Sequence, residues 1–475
     1  MRIPVPFVGS QHEARSSLAN DQLTVNFYPS IQERGAKTKV VLYPTPGLKA
    51  LGNKGTGVCR GNGAVWQGNA YFINGDSLIK IDANDTFTII GTISTVAGYV
   101  SMAAGRTHLC IVDGTAGYTY NGTTLAAISD SDFPNGASFV EWVDNYFIVN
   151  KPDSEQWAIS NLDNATAWDA LDFTSAERRP DNVLRPIWFR GDLLVIGEDT
   201  SELYYDSGNA DFPWETYPNA VFEHGSPAPA SAAVANKTFF MLAKSREGGF
   251  QVIMSQSETP KPISDQSLEW QLHQLSSVSD AFGWAYQQHG HTFYVLTFPS
   301  AGRTWVYDVN VNMWHERKSG NGATAGKWKA FGHVFFNNKH IVGDAGSNDF
   351  YTLDTDTYTD NTSAIVRQRR TSVSHKSEQM ITFNRLEVVF EPGVGLTGTG
   401  QGSDPEVMLK YSDDGGNTWS NEKWKKVGKK GEYSKRAVWY KLGEGRRRIF
   451  EITMSDPVEW VMLDAYADVE IGQEN

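Results

Sequence analysis

The stretch AVWQGNAYFINGDSLIKID, residues 64–82, decides how the rest of the chain reads. A short apolar run meets the polar turn Gln67-Gly68-Asn69. A strongly β-prone run follows from Ala70, and a second turn at Gly75-Asp76 leads into Leu78 and Ile79. Asn and Gly tolerate the positive φ of a two-residue hairpin, and Val, Ile, Phe and Tyr suit a pleated, buried surface, so this stretch predicts antiparallel strands. The plan recurs in MAAGRTHLCIVDGTAGYTYNG from Met102, VEWVDNYFIVNKPDSEQWAISN from Val140 and PIWFRGDLLVIGEDTSELYYD from Pro186. It recurs again from Ser231, from Gly283 and from Lys327. The central turns, near Asn69, Arg106, Asn145, Gly191, Asn236, Gly290 and Asn337, follow one another at roughly forty to fifty residues, the period of propeller blades. One such sheet cannot bury both faces alone; stacking blades in a closed ring buries them and removes exposed edges. The expectation is an all-β, multi-bladed β-propeller of about seven blades, or six if one hairpin belongs elsewhere.

Outside the repeats the pattern changes. From about Ile381, ITFNRLEVVFEP, PEVMLKYSDDGGNTWS, RAVWYKLGEGRRRIFEITMS and VEWVMLDAYADVEI read as antiparallel strands of a separate β-sandwich. Residues 361–380 are polar and basic and read as a linker. The first sixty residues, with LTVNFYP and VVLYP, read as an extended arm or as donors of ring-closing strands. The expected division is therefore 1–60 arm, 61–360 propeller, 361–380 linker and 381–475 C-terminal sandwich. No amphipathic helix of convincing length stands out.

The chain's 475 residues exceed one ordinary domain, and 44 Gly supply turns in bulk. Only Cys59 and Cys110 occur, which leaves no disulfide framework and no thiolate metal cluster, as suits assembly in a reducing cytoplasm. No apolar run is long enough to cross a bilayer, so no membrane anchor is expected, and MRIPVPFVGSQHEARSS lacks the build of a secretion signal. The net charge of −13 is unevenly spread: residues 365–475 carry 17 basic and 17 acidic groups, so the whole excess lies in residues 1–364. Two readings stay open, ordinary solvated surfaces or an assembly part presenting different potentials to different neighbours.

Several motifs invite chemistry. Ser412-x-Asp414-x-Gly416-x-Thr418-Trp419 resembles the Asp box of sialidases and related propellers. Its plain job is a turn: Ser and Asp bond the backbone, Gly takes the awkward φ, and Trp packs beneath. It occurs once and in the expected sandwich, and the Arg2-Ile3-Pro4 segment, which resembles a sialidase carboxylate-binding site, has no identifiable nucleophile pair beside it. An enzyme is not expected; a carbohydrate-binding or sialidase-like propeller is the alternative function. Asp354, Asp356 and Asp360 alternate as in a cation loop but lack the Gly and distal Glu of an EF-hand. His289 and His291 would share a strand face without a third ligand. Neither is read as a metal site, and no cofactor motif is present. The strongest electrostatic feature is Lys423, Lys425, Lys426, Lys429 and Lys430 with Arg446, Arg447 and Arg448, interleaved with Trp424 and Trp439. It reads either as a lysine-rich hairpin that blunts an edge or as a contact for phosphate or an acidic partner.

The segments SLANDQLTVNFYPS, LYPTPGLKALG, VSMAAGRTHLCIVDG and KRAVWYKLGEGRRRIFEITMSDPV resemble the tail-hub proteins of short-tailed, Salmonella-type phages, also described as packaged-DNA stabilisation or head-completion proteins. The resemblance runs along almost the whole chain. It implies a structural virion protein of the phage tail, without cofactor or catalytic residues. It also implies a homohexameric nozzle below the portal adaptor protein, which continues the DNA channel and helps retain the packaged double-stranded DNA until ejection. Tailspikes or tail fibres and a tail needle or plug are the implied neighbours.

Overall fold

The founding hairpin forms as its residues dictate. Ala64–Trp66 pairs with Asn69–Asn74, which pairs with Ser77–Ile81, and Phe87–Thr92 adds a fourth, outer strand. Gln67 and Gly68 both take positive φ, 46° and 71°, the geometry whose twist matches the flanking strands. Arg190-Gly191, Asn236-Lys237, His289-Gly290, Asn337-Asn338 and Asp144-Asn145 repeat it. This is a computed structural model, and it describes every residue except 34, 37, 177–180, 210, 211, 246, 247, 258 and 473–475, with 218–221 described in their backbone alone.

Five four-stranded sheets follow in order, at 64–92, 101–127, 140–175, 183–222 and 233–262 (blades 1 to 5). A sixth four-stranded unit runs over 282–316, and a seventh, at 330–354, takes its outer strand from Gly47–Asn53 near the start of the chain. Six units are thus built from one continuous stretch each, and the seventh is completed by residues from the other end of the propeller. Innermost strands touch from blade to blade, and those of blades 7 and 1 also touch, which closes the ring. Between blades the packing is dense and aromatic: Phe240 of blade 5 stacks on Tyr294 of blade 6 with ring centres 4.9 Å apart. Each fully buried large side chain of this kind contributes about 1.5–3 kcal/mol by leaving water. One α-helix, Gln266–Gln274, lies between blades 5 and 6; Asp265 caps it by accepting from Leu268 N, and Leu268 and Leu272 enter the core.

The sandwich differs from the expected one in its chain content. One of its sheets runs Phe27–Ile31, Val40–Pro44, Met462–Ile471, Ile381–Phe390, Ala437–Tyr440, with Arg2–Pro4 also on Met462–Ile471. The other runs Asp21–Val25, Arg367–Arg370, Arg447–Met454, Glu406–Ser412, Lys423–Lys426. So Arg2–Pro4, Asp21–Val25, Phe27–Ile31 and Val40–Pro44 are not a free arm but strands of the sandwich, while Gly47–Asn53 serves the ring. The segment read as a linker contains a central strand. Alternation puts Arg367 and Arg369 on one face, both fully buried, and Arg370 on the other. Arg370 bridges Asp21 (2.6 Å) and Glu451 (2.8 Å) and lies over the Trp419 ring. The second sheet also continues into the propeller. Met313–Glu316, the outer strand of blade 6, meets Asp21–Val25 in a parallel bridge at Val25 and Glu316, giving one path of nine strands from the propeller's centre to Lys423–Lys426. Buried Glu316 secures the seam by pairing with Arg303 (2.9 Å) and Lys318 (3.2 Å), while Arg303 also reaches Glu13.

Candidate interaction surfaces

The Asp box closes on itself. Ser412 Oγ donates to Asp414 Oδ1 (2.7 Å) and accepts from Gly416 N (2.8 Å). Asp414 accepts from the Thr418 amide (2.9 Å) and hydroxyl (2.6 Å), and Trp419 Nε1 donates to Gly416 O (3.0 Å). The Thr418 hydroxyl and amide, then the Ser412 hydroxyl, hold the Asp414 carboxyl down at about 2. Every polar side-chain group of the motif is occupied within the turn, and the turn leans on Arg370 through Trp419. Replacing Asp414 with Ala is expected to lower the thermal midpoint of the protein, and Asp414→Asn, which keeps an acceptor oxygen, to lower it less; differential scanning calorimetry compares the two.

The other candidates are brought to different places. Arg2 pairs with Glu387 (3.1 Å) and covers the Tyr466 ring, a strand-end role. Asp354 pairs with Lys49 (3.2 Å), whereas Asp360 is buried and accepts from Ser319 Oγ (2.5 Å), burial pushing its carboxyl up to about 6. His289 sits in the hairpin turn at φ 50° and its Nε2 faces Thr355 Oγ1, while His291 begins the next strand with Nδ1 2.6 Å from Asp308 Oδ2. The two are therefore not alternate residues of one strand, since His289 belongs to the turn, although both line one cleft with Tyr28, Tyr43 and Thr355. Among the described residues no group of three His, Cys, Asp or Glu side chains is placed to hold a metal ion. Cys59 and Cys110 are buried free thiols, each pushed up to about 12 by burial.

The basic run divides in two. Lys423–Lys426 forms the last strand of the nine-strand path, paired on one side with Glu406–Leu409. Lys425, Lys426, Lys429 and Lys430 are exposed, Lys423 half-buried, and Lys426 pairs with Asp404. Trp424 is 53% exposed, and Tyr433 and Tyr440 are more so. The arginines belong elsewhere. Arg448 is 1% exposed, with Nε and Nη2 each 2.7 Å from the Asp413 carboxylate and Nη1 donating to Leu442 O. Arg447 pairs with Glu378 and Arg446 donates to its carbonyl. Arg448 is therefore a core clamp and not a partner or phosphate contact, since a strand that exposes Arg447 must turn Arg448 inward. Trp439 is likewise buried, donating to Lys423 O (2.8 Å), which removes it from any stacking surface.

One feature was hidden in sequence: the propeller's own axis is filled. Tyr99, entering blade 2, touches Phe139, entering blade 3 (5.1 Å), and Phe282 of blade 6 (5.9 Å). Phe282 stacks on Phe331 of blade 7 (4.1 Å). Arg185 of blade 4 lies over Phe139 and donates to Pro229 O and Ala232 O beside blade 5. These residues lie at or near the starts of innermost strands, and nothing local marks them as meeting.

Comparison with known proteins follows the same two-part division. A family model described as bacteriophage P22 Gp10, beta-propeller, matches residues 1–358, and one described as bacteriophage P22 Gp10, beta-sandwich, matches residues 366–470. No curated protein matches the sequence. Among solved structures, the Neurospora crassa Pan2 WD40 domain is 8% identical, covering 65% of this chain and 94% of its own, with a TM-score of 0.41. The virginiamycin B lyase from Staphylococcus aureus is 8% identical over 65% of this chain and 98% of its own, at 0.43. Scores at this level carry no argument about activity.

Proposed function

The chain belongs to the family of bacteriophage P22 Gp10, a structural protein of the phage tail and so of the virion, and from that premise we propose that it is the hub of a short tail. Six copies form a ring below the portal adaptor, assembled in the host cytoplasm, and the packaged duplex passes between the copies. The filled propeller axis is the observation that supports this most directly. With Tyr99, Phe139, Arg185, Phe282 and Phe331 meeting at the centre, one chain offers no passage, so a DNA channel needs several chains around it. The acidic excess of residues 1–364 suits a channel wall or flank, because like charge keeps phosphates from adhering during ejection. Retention then comes from steric closure of the ring with a needle or plug, not from tight binding of DNA. The protein's work is mechanical and breaks no bond.

Negative-stain images of the purified protein, alone and with the portal–adaptor complex, test this reading. Six-fold rings are the expected result; single particles that add nothing to the portal–adaptor would overturn it. Duplex DNA retained strongly and in a salt-sensitive way by the isolated protein would overturn the low-adhesion channel.

A further inference from the structure

The outer strand of blade 3, Asn164–Ser175, is twelve residues long and ends its sheet with one edge unpaired among the described residues. Leu171 is 81% exposed where the strand bulges between Trp168 and Phe173, and Phe173 is exposed beside it with Lys151 Nζ 5.7 Å from its ring centre. Asp169 is exposed and Asp172, between the two apolar residues, is half-buried; residues 162–176 contain no Lys or Arg, and Arg178 and Arg179 beyond them lie outside the described residues. Partial burial, then the neighbouring Asp169 charge, pushes the Asp172 carboxyl up.

A second edge, open except that Trp439 Nε1 donates to Lys423 O, has the opposite character. Lys423–Lys426 ends the nine-strand path and exposes Trp424 with Lys425 and Lys426, and Lys429 and Lys430 follow in the next turn. Residues 421–430 hold five Lys against the single acid Glu422.

Position completes the match. The sandwich joins the ring at blades 6 and 7, and blade 3 is three steps from each, by 6–5–4–3 and by 7–1–2–3. The acidic, apolar edge and the basic, aromatic edge therefore lie at opposite ends of the molecule. Two unlike surfaces at opposite ends make a head-to-tail contact, which forms a ring when its rotation closes. Open strand edges also supply backbone groups for pairing with another chain.

We propose that the outer strand 164–175 of blade 3 docks against the Lys423–Lys426 edge of a second copy of this chain, with Leu171 and Phe173 covered by Trp424 and the lysines facing Asp169 and Asp172. The inference rests on the ring reading above and names its interface.

Cross-linking of the full-length chain tests it. Leu171→Cys and Trp424→Cys are combined in one chain; both native cysteines are buried and do not compete. Under mild oxidation the double variant is expected to give a ladder of disulfide-linked oligomers, and each single variant none beyond dimers. Leu171→Asp is expected to weaken self-association at least tenfold by sedimentation, with unchanged melting because the side chain is exposed. A mixture of Leu171→Asp with Trp424→Asp copies is expected to give pairs but no rings, since each retains one good end. Wild-type rings that persist undiminished in Leu171→Asp, without a ladder in the double cysteine variant, overturn the interface and leave the ring reading standing. Wild-type protein that forms no ring even on the portal–adaptor overturns both. Loss of DNA binding alone in the Trp424 variant would assign that edge to nucleic acid and overturn the proposal.

Discussion

Replacing Arg369 with Ala is expected to destabilise the protein by about 3–5 kcal/mol, the cost of deleting a large buried side chain and stranding the acceptors it served. The guanidinium is fully buried and faces neutral oxygens. Nε donates to Phe7 O (2.6 Å), Nη1 to Thr24 Oγ1 (2.7 Å) and to the carbonyls of Ser10 and Leu23, and Nη2 to Gln22 Oε1 (2.7 Å). Burial alone pulls its pKa down to about 9. One side chain thus ties three separate pieces of the N-terminal region to Arg367–Arg370. Lys carries three donors on one atom and cannot span these acceptors, so Arg369→Lys is expected to recover little. Chemical denaturation measures the loss, and limited proteolysis locates it: cleavage should begin within residues 1–30. A loss below about 1 kcal/mol, with no new cleavage there, would show that the clamp is dispensable.

Acidification is expected to weaken the propeller from about pH 6.5 downward, before ordinary carboxylates begin to titrate. His333 of blade 7 stacks on Trp284 of blade 6 (5.0 Å), and its Nε2 lies 3.0 Å from His340 Nδ1. Burial, and then the adjacent His340, push the His333 ring down to about 3. His340 is shifted the same way, and buried His315 well below its ordinary value. An unfolded chain takes up the proton near 6.5 and the folded chain not until about 3, so between those values the unfolded state binds more protons. The stabilisation is complete above pH 6.5 and fades as pH falls toward 3, by about 3–5 kcal/mol for His333 in full. His333→Phe keeps a ring against Trp284 and cannot titrate. Its stability, followed by denaturation from pH 7 to 4, should fall much less steeply than that of the wild type. Parallel curves would assign the acid sensitivity to other groups.

The repeated hairpins were legible because their information is local. Asn145, Asn236 and Asn337 take the positive φ that their residue type tolerates, and the strands beside them are apolar runs. The seventh blade was half legible: Gly47–Asn53 lies among residues suspected of ring closure, but its partner Asp349–Asp354 is some three hundred residues away. The same distance hid the N-terminal strands of the sandwich. Arg367 and Arg369 looked like solvated linker charge because burial of an arginine becomes visible only when Phe7, Leu23 and Thr24 are known to surround it. Helix 266–274 is too short for its periodicity to stand out. The Lys423–Lys430 cluster was legible as exposed charge. Arg448 was not, since a run of three arginines gives no sign of which one the pleat turns inward.

The nine-strand path from the propeller's centre to Lys423–Lys426 has a mechanical consequence. Where two bodies hang on a flexible tether, strain at one is dissipated in the tether; here backbone hydrogen bonds and the Glu316 ion pairs carry it sideways from strand to strand into blade 6. Propeller and sandwich are thereby braced against each other. If copies encircle DNA as proposed, such bracing lets the bore alter only when all the members lean together, like the leaves of an iris.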